Sequence, residues 1–259
     1  MWTDRLTPVR ILARLLLLMV LVGLLLLPTV VCQTRPGHAL RGPRRTLAEF
    51  MLNTWSRALC RVFGVAVQAS GQLLPGPVLV VANHISWLDI PVLHSLGAMS
   101  FVGKSEIDDW PLFGFLARAG GTVFHRRGSH DSADEVAARL VERLNAGHRA
   151  AIFPEGGIRP GEAINVFHAR MFRVAVEAPC PVQPAMIRYL RGGRRDPEMT
   201  FLDGEGFPAN VLRLLGRPSS VADVHLLEPL AAVDRPRKEI ASLAYRAVRA
   251  AYDYEVRMG

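Results

Sequence analysis

The segment 83–89 holds the side chains in this sequence that are best suited to chemistry. It reads Asn-His-Ile-Ser-Trp-Leu-Asp and follows the apolar, valine-rich run 77–82, which is typical of a short interior strand. Open α/β sheets expose their functional groups at the carboxyl ends of strands. We therefore predict that His84 lies in a turn just beyond a strand.

Histidine and aspartate at this spacing can form a general base. A carboxylate that bonds one ring nitrogen of His84 would fix its tautomer, so that the other nitrogen can accept a proton from a substrate hydroxyl. Such assistance raises rates by about 10²- to 10⁴-fold. Pro91 favours a helix that begins near Asp89, so His84 must precede this helix to reach the carboxylate. On spacing alone, a structural pair is the simpler interpretation.

Three further segments follow this one in a fixed order. Residues 102–107 read Val-Gly-Lys-Ser-Glu-Ile and lead to 121–127, residues 153–156 read Phe-Pro-Glu-Gly, and residues 182–185 read Val-Gln-Pro-Ala. With the first segment they resemble the four motifs of the glycerolipid acyltransferases, the family that includes 1-acylglycerol-3-phosphate acyltransferases. The resemblance extends over residues 75–189 and implies an O-acyltransferase.

The resemblance also implies roles for individual residues. His84 would be the general base and Asp89 its orienting partner. The implied substrate-binding residues are Lys104, Arg126, Glu155, Gly156 and Arg159. Lys104 would help to bind an anionic donor, and Arg126 matches a phosphate-binding arginine. No metal or other cofactor is implied, because acyl-CoA or acyl carrier protein brings the acyl group as a co-substrate.

The third motif departs from the family pattern. It usually continues with threonine and then often with arginine, which is implicated in holding the acceptor phosphate in members acting on lysophosphatidic acid. Here Gly157 and Ile158 occupy these positions, and Arg159 comes one place later. The default acceptor is 1-acyl-sn-glycerol-3-phosphate, which would give phosphatidic acid. A lyso-ornithine lipid or another lysophospholipid is the alternative.

Residues 1–70 are predicted to form a membrane-anchoring segment of two helices. The run 15–31 is apolar and would measure roughly 26 Å as a helix, slightly less than the roughly 30 Å hydrocarbon core. It could therefore span the bilayer or dip into one leaflet. No small-residue cleavage site follows, which disfavours a signal peptide. The second helix, 47–63, has one apolar stripe that suits either the membrane interface or packing on the catalytic domain.

Residues 71–259 are predicted to form the catalytic domain, an α/β fold with a largely parallel central sheet flanked by helices. Its predicted strands are 78–82, 100–103, 122–124, 150–153, 182–187 and 222–227. Its predicted helices are 91–96, 111–119, 132–145, 166–177 and 236–254. Residues 191–206 are predicted to be a surface loop.

Composition favours a membrane surface as the partner. The chain has 259 residues, of which half are hydrophobic, and 31 Lys and Arg against 23 Asp and Glu give a net charge of +8. Nucleic acid would suit the charge, but no groove-reading motif is present. Cys32, Cys60 and Cys180 lack metal-type spacing and argue weakly against a disulfide framework. We expect a location at the bacterial inner membrane with the catalytic domain facing the cytoplasm.

Two other classes of function fit the same features. A membrane-attached hydrolase would use the His84–Asp89 pair to activate water, although the sequence offers no Gly-x-Ser-x-Gly nucleophile elbow. A non-catalytic lipid-binding protein would need neither residue.

Overall fold

The computed structural model describes residues 5–32, 46–109, 114–115, 117–118, 120–125, 130–160 and 163–258. Arg126, part of the predicted helix 111–119 and the side chain of Lys104 lie outside the described residues. The described strands are β1 (Val65–Ser70), β2 (Leu79–Ala82), β3 (Ser100–Lys104), β4 (Val123–His125), β5 (Ala150–Ile152), β6 (Val182–Arg191), β7 (Arg194–Arg195) and β8 (Ser220–Leu226).

These strands form one sheet in the order β1-β8-β6-β2-β5-β3-β4, with β7 paired to β6. The neighbours are parallel except for β6 with β8 and β6 with β7. The predicted α/β fold with a largely parallel sheet is therefore confirmed. All four residues of the central strand β2 are buried. Burial on both faces is why its sequence is a continuous apolar run rather than an alternating one.

The sheet also contains a strand before residue 71 that the sequence did not predict. β1 pairs in parallel with β8 along its whole length. Only Val65 of this strand is buried, and its outer residues are mostly exposed. An edge strand with so little apolar surface carries almost no hydrophobic pattern, and its partner lies far along the chain.

Helices cover the sheet and precede it. They are α1 (Thr7–Cys32), α2 (Leu47–Val62), α3 (Asp89–Leu96), α4 (Ser105–Asp108), α5 (His130–Asn145), α6 (Arg173–Glu177), α7 (Phe207–Gly216) and α8 (Arg237–Met258). The predicted helix 166–177 was too long, because a 3-10 turn at Ala169–Phe172 comes before α6. The predicted loop 191–206 begins with the last residue of β6 and includes β7. α7 was not predicted.

α2 begins with a capping box. The Thr46 hydroxyl accepts from the Glu49 backbone N–H, and the Glu49 carboxylate accepts from the Thr46 N–H, so two otherwise unpaired donors are satisfied. Ala48, Met51 and Trp55 are buried on one face of the helix. This face packs against α1 and α3. Met51 and Val62 of the predicted apolar stripe therefore serve packing, whereas Leu47 and Phe50 are exposed, which suits the membrane interface.

α1 contains a segment, Thr7–Leu24, that is long and apolar enough to cross a membrane. It is also docked on the catalytic domain. Arg14 Nη1 donates to the carbonyl oxygens of Leu215 at 3.0 Å and Arg217 at 2.7 Å, at the end of α7. The two helices lie so close that a Cβ on Gly216 would come within 2.9 Å of Thr7 Cγ2.

The two sides of α1 face different surroundings. One side packs against the core through Ile11, Leu15, Leu18 and Leu21. The other side carries large apolar residues that are more than half exposed, namely Val9, Leu12, Leu16, Leu17, Met19, Val20 and Leu24. An apolar surface of this kind is expected to contact a membrane.

Candidate active site

The site begins where β2 ends. The buried Asn83 amide exchanges two hydrogen bonds with the Ile187 backbone on β6, each 2.8 Å long. The side chain thus makes the next pair of the β2–β6 ladder in place of backbone. The backbone therefore leaves β2 and turns at His84, while the Asn83 side chain keeps it bonded to β6.

Asp89, the first residue of α3, closes this turn. Its Oδ2 accepts from the backbone N–H groups of Ile85 at 2.7 Å and Ser86 at 3.0 Å. A carboxylate is favoured at a helix N-terminus, because the backbone N–H groups there carry partial positive charge. The side chain is fully buried.

His84 meets this carboxylate as predicted. Its Nδ1 lies 2.8 Å from Asp89 Oδ2, and 13% of its side chain is exposed. The ring stacks on Phe153 with 3.9 Å between centroids and 9° between planes. Since Nδ1 is engaged by the carboxylate, Nε2 is the ring nitrogen left to face a substrate.

A second donor to Asp89 comes from β6. The Tyr189 hydroxyl donates to Asp89 Oδ1 at 2.7 Å. Burial and the neighbouring carboxylate raise the pKa of Tyr189 well above its ordinary value, so the hydroxyl stays protonated. Sequence reasoning missed this residue. The only signal was one tyrosine near the end of an apolar strand.

Glu155 lies behind the histidine. Its Oε1 accepts from the His84 backbone N–H at 2.9 Å, and its Oε2 accepts from the Asn165 backbone N–H at 2.9 Å and amide at 3.2 Å. The residue is 3% exposed. The carboxylate therefore joins the histidine turn to the loop that follows β5.

The same loop is tied to the turn again and shaped by a glycine. The Arg159 backbone N–H donates to the His84 carbonyl at 2.8 Å. Gly156 has a φ of +77°, a conformation that other residues adopt only under strain. A Cβ at this position would also approach His168 Cδ2 to 3.3 Å. Gly156 is thus required by the backbone path.

His84 opens onto a cleft of about 760 Å³. Its apolar lining is Trp87, Ile90, Val102, Phe153, Ile158, Phe201 and Phe207. Its polar lining includes His84, Glu106, His125, Arg159 and Glu205. This mixture suits a ligand with an aliphatic chain and a polar head.

Trp87 fixes one wall of this cleft. Its ring meets Phe63 edge-on with 5.0 Å between centroids and Phe207 with 5.4 Å. Its Nε1 donates to Asn210 Oδ1 on α7 at 2.9 Å. The ring of Trp87 therefore forms part of the cleft wall.

The other predicted residues divide into three groups. Gly156 and Arg159 line the cleft, and the Arg159 side chain is exposed. Glu155 is absent from the cleft lining as far as the described residues define it. Arg126 and the Lys104 side chain lie outside the described residues.

Cysteine chemistry does not suit this site. Desolvation by burial raises the pKa of Cys60 to about 12 and that of Cys180 to about 11. A thiol with so high a pKa is a weak nucleophile at neutral pH. Within the part of the chain that the structure describes, no three His, Cys, Asp or Glu side chains are grouped as metal ligands.

Comparisons with known proteins agree with this geometry. A family model described as Acyltransferase matches residues 65–188. A lyso-ornithine lipid O-acyltransferase of Pseudomonas aeruginosa is 39% identical over 205 residues, covering 79% of each chain. A 1-acyl-sn-glycerol-3-phosphate acyltransferase of Neisseria gonorrhoeae is 33% identical over 142 residues, which are 54% of this chain and 55% of that protein.

A solved structure is similar over nearly the whole length. The crystal structure of the 1-acyl-sn-glycerophosphate (LPA) acyltransferase PlsC from Thermotoga maritima covers 96% of this chain and 95% of its own, with a TM-score of 0.68. At 19% identity, this similarity concerns the fold.

Proposed function

The chain belongs to the glycerolipid acyltransferase family, and on that premise we propose that it acylates a lyso-ornithine lipid, with His84 as the general base. The observation that carries the proposal is the 2.8 Å contact between His84 Nδ1 and Asp89 Oδ2 at the edge of a largely apolar cleft. A lysolipid with a free hydroxyl fits such a cleft, because its acyl chain and its polar head need different linings.

The reaction needs two proton transfers, one from the acceptor hydroxyl to His84 and one from His84 to the departing thiolate. His84 Nε2 takes the proton of the acceptor hydroxyl as its oxygen attacks the thioester carbonyl carbon. A C–O bond forms and the C–S bond breaks. The imidazolium then gives its proton to the departing thiolate of coenzyme A or acyl carrier protein. Asp89 stabilises the charged ring between these two steps, and a thioester requires no covalent enzyme intermediate.

Two observations support a lyso-ornithine lipid as the acceptor. The match to the Pseudomonas aeruginosa relative, which is named for this activity, covers 79% of both chains, whereas the match to the Neisseria gonorrhoeae protein covers 55% of that protein. In addition, Ile158 lines the cleft where members acting on lysophosphatidic acid often have an arginine. The aliphatic side chain of isoleucine cannot pair with a phosphate.

A second candidate acceptor is 1-acyl-sn-glycerol-3-phosphate. It is favoured by Arg159, whose exposed guanidinium side chain borders the cleft one position after Ile158. Guanidinium can bind phosphate through two parallel hydrogen bonds.

The membrane supplies the acceptor in this proposal. α7 joins α1 to the cleft, since its end accepts from Arg14 on the docked side of α1 and its first residue, Phe207, lines the cleft. A lysolipid could therefore reach His84 from the bilayer surface. The net charge of +8 suits an anionic leaflet, and we place the protein at the bacterial inner membrane with the cleft on the cytoplasmic side, where acyl thioesters are available.

The test is a matrix of purified substrates. The full-length protein is offered a lyso-ornithine lipid, 1-acyl-sn-glycerol-3-phosphate and lysophosphatidylcholine, each with acyl-CoA and with acyl carrier protein. Mass spectrometry then identifies the products. We expect the ester of the lyso-ornithine lipid to form fastest. The absence of ester with every pair would overturn the acyltransferase proposal, and free fatty acid released without an acceptor would indicate a hydrolase.

A pair of histidine variants tests the base. His84→Ala should reduce kcat by about 10³-fold or more, because the hydroxyl loses its proton acceptor. His148→Ala, at an exposed position outside the cleft lining, is the matched control and should retain activity. A fully active His84→Ala protein would exclude His84 as the base. A cellular effect that survives His84→Ala would favour a non-catalytic lipid-binding role.

A further inference from the structure

We propose that Tyr189 is a positioning residue of the catalytic pair, which sets how tightly Asp89 holds the proton of His84. The inference rests on the proposed role of His84 as the general base. Tyr189 does not touch the reacting atoms, and it lies on β6, 100 positions along the chain from Asp89. Its effect would pass entirely through the carboxylate.

The two oxygens of Asp89 have different partners. Oδ2 accepts from His84 Nδ1, and from the backbone N–H groups of Ile85 and Ser86, all within five positions of Asp89 in the sequence. Oδ1 accepts from the Tyr189 hydroxyl at 2.7 Å. The Tyr189 hydroxyl therefore holds Oδ1 from outside the turn. Because Oδ2 is already held within the turn, this contact also fixes the plane of the carboxylate.

Burial makes this one hydrogen bond important. Asp89 is fully buried and Tyr189 is 2% exposed, so water does not replace a missing donor easily. Hydrogen bonds to a buried charge are stronger than those between neutral groups at the surface. β6 also bonds Asn83 through Ile187, two residues before Tyr189. The same strand thus holds both ends of the catalytic turn.

Apart from His84, the other titratable groups near Asp89 do not donate a hydrogen bond to its carboxylate in the part of the chain that the structure describes. Cys60 on α2 faces the tyrosine and stays a neutral thiol, since burial raises its pKa to about 12. Glu155, after β5, reaches the turn through the His84 backbone N–H. Within the described residues, the Tyr189 hydroxyl is therefore the side-chain donor besides His84 that moderates the charge of Asp89, in addition to the backbone N–H groups of Ile85 and Ser86.

Tyr189→Phe removes this donor and keeps the ring. Without it, the carboxylate should bind protons more tightly, whether the proton sits on Asp89 or is held on His84 beside it. Both routes leave less of the neutral base at a given pH. We expect the acidic limb of the kcat/KM profile to move to higher pH by about half to one unit, and activity on this limb to fall about three- to tenfold. The acceptor KM should stay within about twofold, because Tyr189 is not among the cleft-lining residues.

The experiment compares variants of the full-length protein in detergent. Steady-state rates with lyso-ornithine lipid and acyl-CoA are measured between about pH 5.5 and pH 9. Tyr245→Phe is the matched loss of a tyrosine hydroxyl away from the site, where the hydroxyl contacts Arg249. Val224→Ala on β8 is the control for lost core packing, since Val224 is fully buried beside β6. Neither control should move the acidic limb.

The outcomes separate this proposal from the function it rests on. An unchanged profile for Tyr189→Phe, or the same displacement in Val224→Ala, overturns the positioning role even if the enzyme is active. In an Asp89→Asn background, Tyr189→Phe should change the residual rate less than twofold, because the charge it acts on is gone. If His84→Ala retains full activity, it is the general-base proposal that fails.

Discussion

At the scale of the residue, the contacts of Glu155 favour a role other than the one its motif implied. The family resemblance implied that this glutamate binds the acceptor. Both of its oxygens instead accept from the His84 and Asn165 backbone N–H groups, and the residue is 3% exposed. We therefore infer that it positions the histidine.

Glu155→Gln distinguishes these two roles. The amide keeps one acceptor but turns an N–H₂ group toward a backbone N–H, which leaves buried donors unpaired. We expect kcat to fall about 10- to 100-fold and the free energy of unfolding to fall by about 1 to 3 kcal/mol. The acceptor KM should change less than about twofold. Kinetics and urea unfolding measure these quantities, and the exposed Glu177→Gln is the control. A raised KM with unchanged kcat would support acceptor binding instead.

The sequence was enough to predict the His84–Asp89 pair, but not the residues far along the chain that contact it. His84 and Asp89 are five positions apart, so the strand pattern before them and Pro91 after them were enough to predict the turn. Tyr189 and Glu155 reach it from 100 and 71 positions away. Their contacts depend on β6 and β5 both lying beside β2, an order that no short segment encodes.

At the scale of the element, α7 connects the N-terminal helix to the site. In the structure, Arg14 caps the last carbonyl oxygens of α7, while Asn210 in the same helix holds Trp87 of the catalytic turn. α7 was missed because its apolar face is short and partly covered by α1, far away in sequence.

Arg14→Met tests this connection. The methionine keeps an apolar side chain but leaves the carbonyl oxygens of Leu215 and Arg217 without their cation, which is favoured at a helix C-terminus. We expect the free energy of unfolding to fall by about 1 to 3 kcal/mol. Urea unfolding measures this change. Arg61→Met on the exposed side of α2 is the control, and equal effects in the two variants would contradict the docking role.

The contact between α2 and α3 should make stability depend on pH through His94. The Asn53 amide donates to the His94 carbonyl, and the buried ring packs edge-on to Phe101 at 4.8 Å. Its Nδ1 has no hydrogen-bond partner among the described residues. Desolvation by burial lowers the pKa of His94 from 6.5 to about 3. The unfolded chain therefore takes up this proton below about pH 6.5, whereas the folded chain does not until about pH 3.

The folded state is therefore most stable, as far as His94 is concerned, above pH 6.5, where the ring is neutral in both states. This part of the stability is lost as the pH falls toward 3. Between pH 6.5 and pH 5 the loss should be about 2 kcal/mol, at about 1.4 kcal/mol per pH unit. His94→Leu should remove this part of the pH dependence, as measured by urea unfolding at the two pH values. The exposed His148→Leu should leave it unchanged. Equal pH dependence in the wild type and His94→Leu would show that the ring is not held neutral by burial.

At the scale of the whole molecule, the exposed apolar side of α1 is the surface that we expect to meet the bilayer. Leu12, Leu16, Val20 and Leu24 recur every four residues and are each more than half exposed. The opposite side is docked against the core and α7, which keeps the helix lengthwise against the domain. From the sequence, the length of the apolar run is compatible with a helix that spans the bilayer and with one that dips into a single leaflet. The docking of Arg10 and Arg14 favours a helix that lies in one leaflet.

Leu16→Glu with Val20→Glu tests this orientation. Two exposed aliphatic side chains of the proposed membrane-facing side would be replaced by charges that anionic lipids also repel. Each lost side chain contributes about 1.5 to 3 kcal/mol when fully buried, so binding to phosphatidylethanolamine and phosphatidylglycerol vesicles should weaken by at least about 10²-fold. Flotation of vesicles measures the bound fraction. Val176→Glu, an exposed aliphatic position on α6, is the matched control and should still float.

Because the docked side of α1 is untouched, the double variant should keep its melting temperature and still acylate lysolipid presented in detergent micelles. Full vesicle binding by the double variant would mean that another surface carries the enzyme to the membrane.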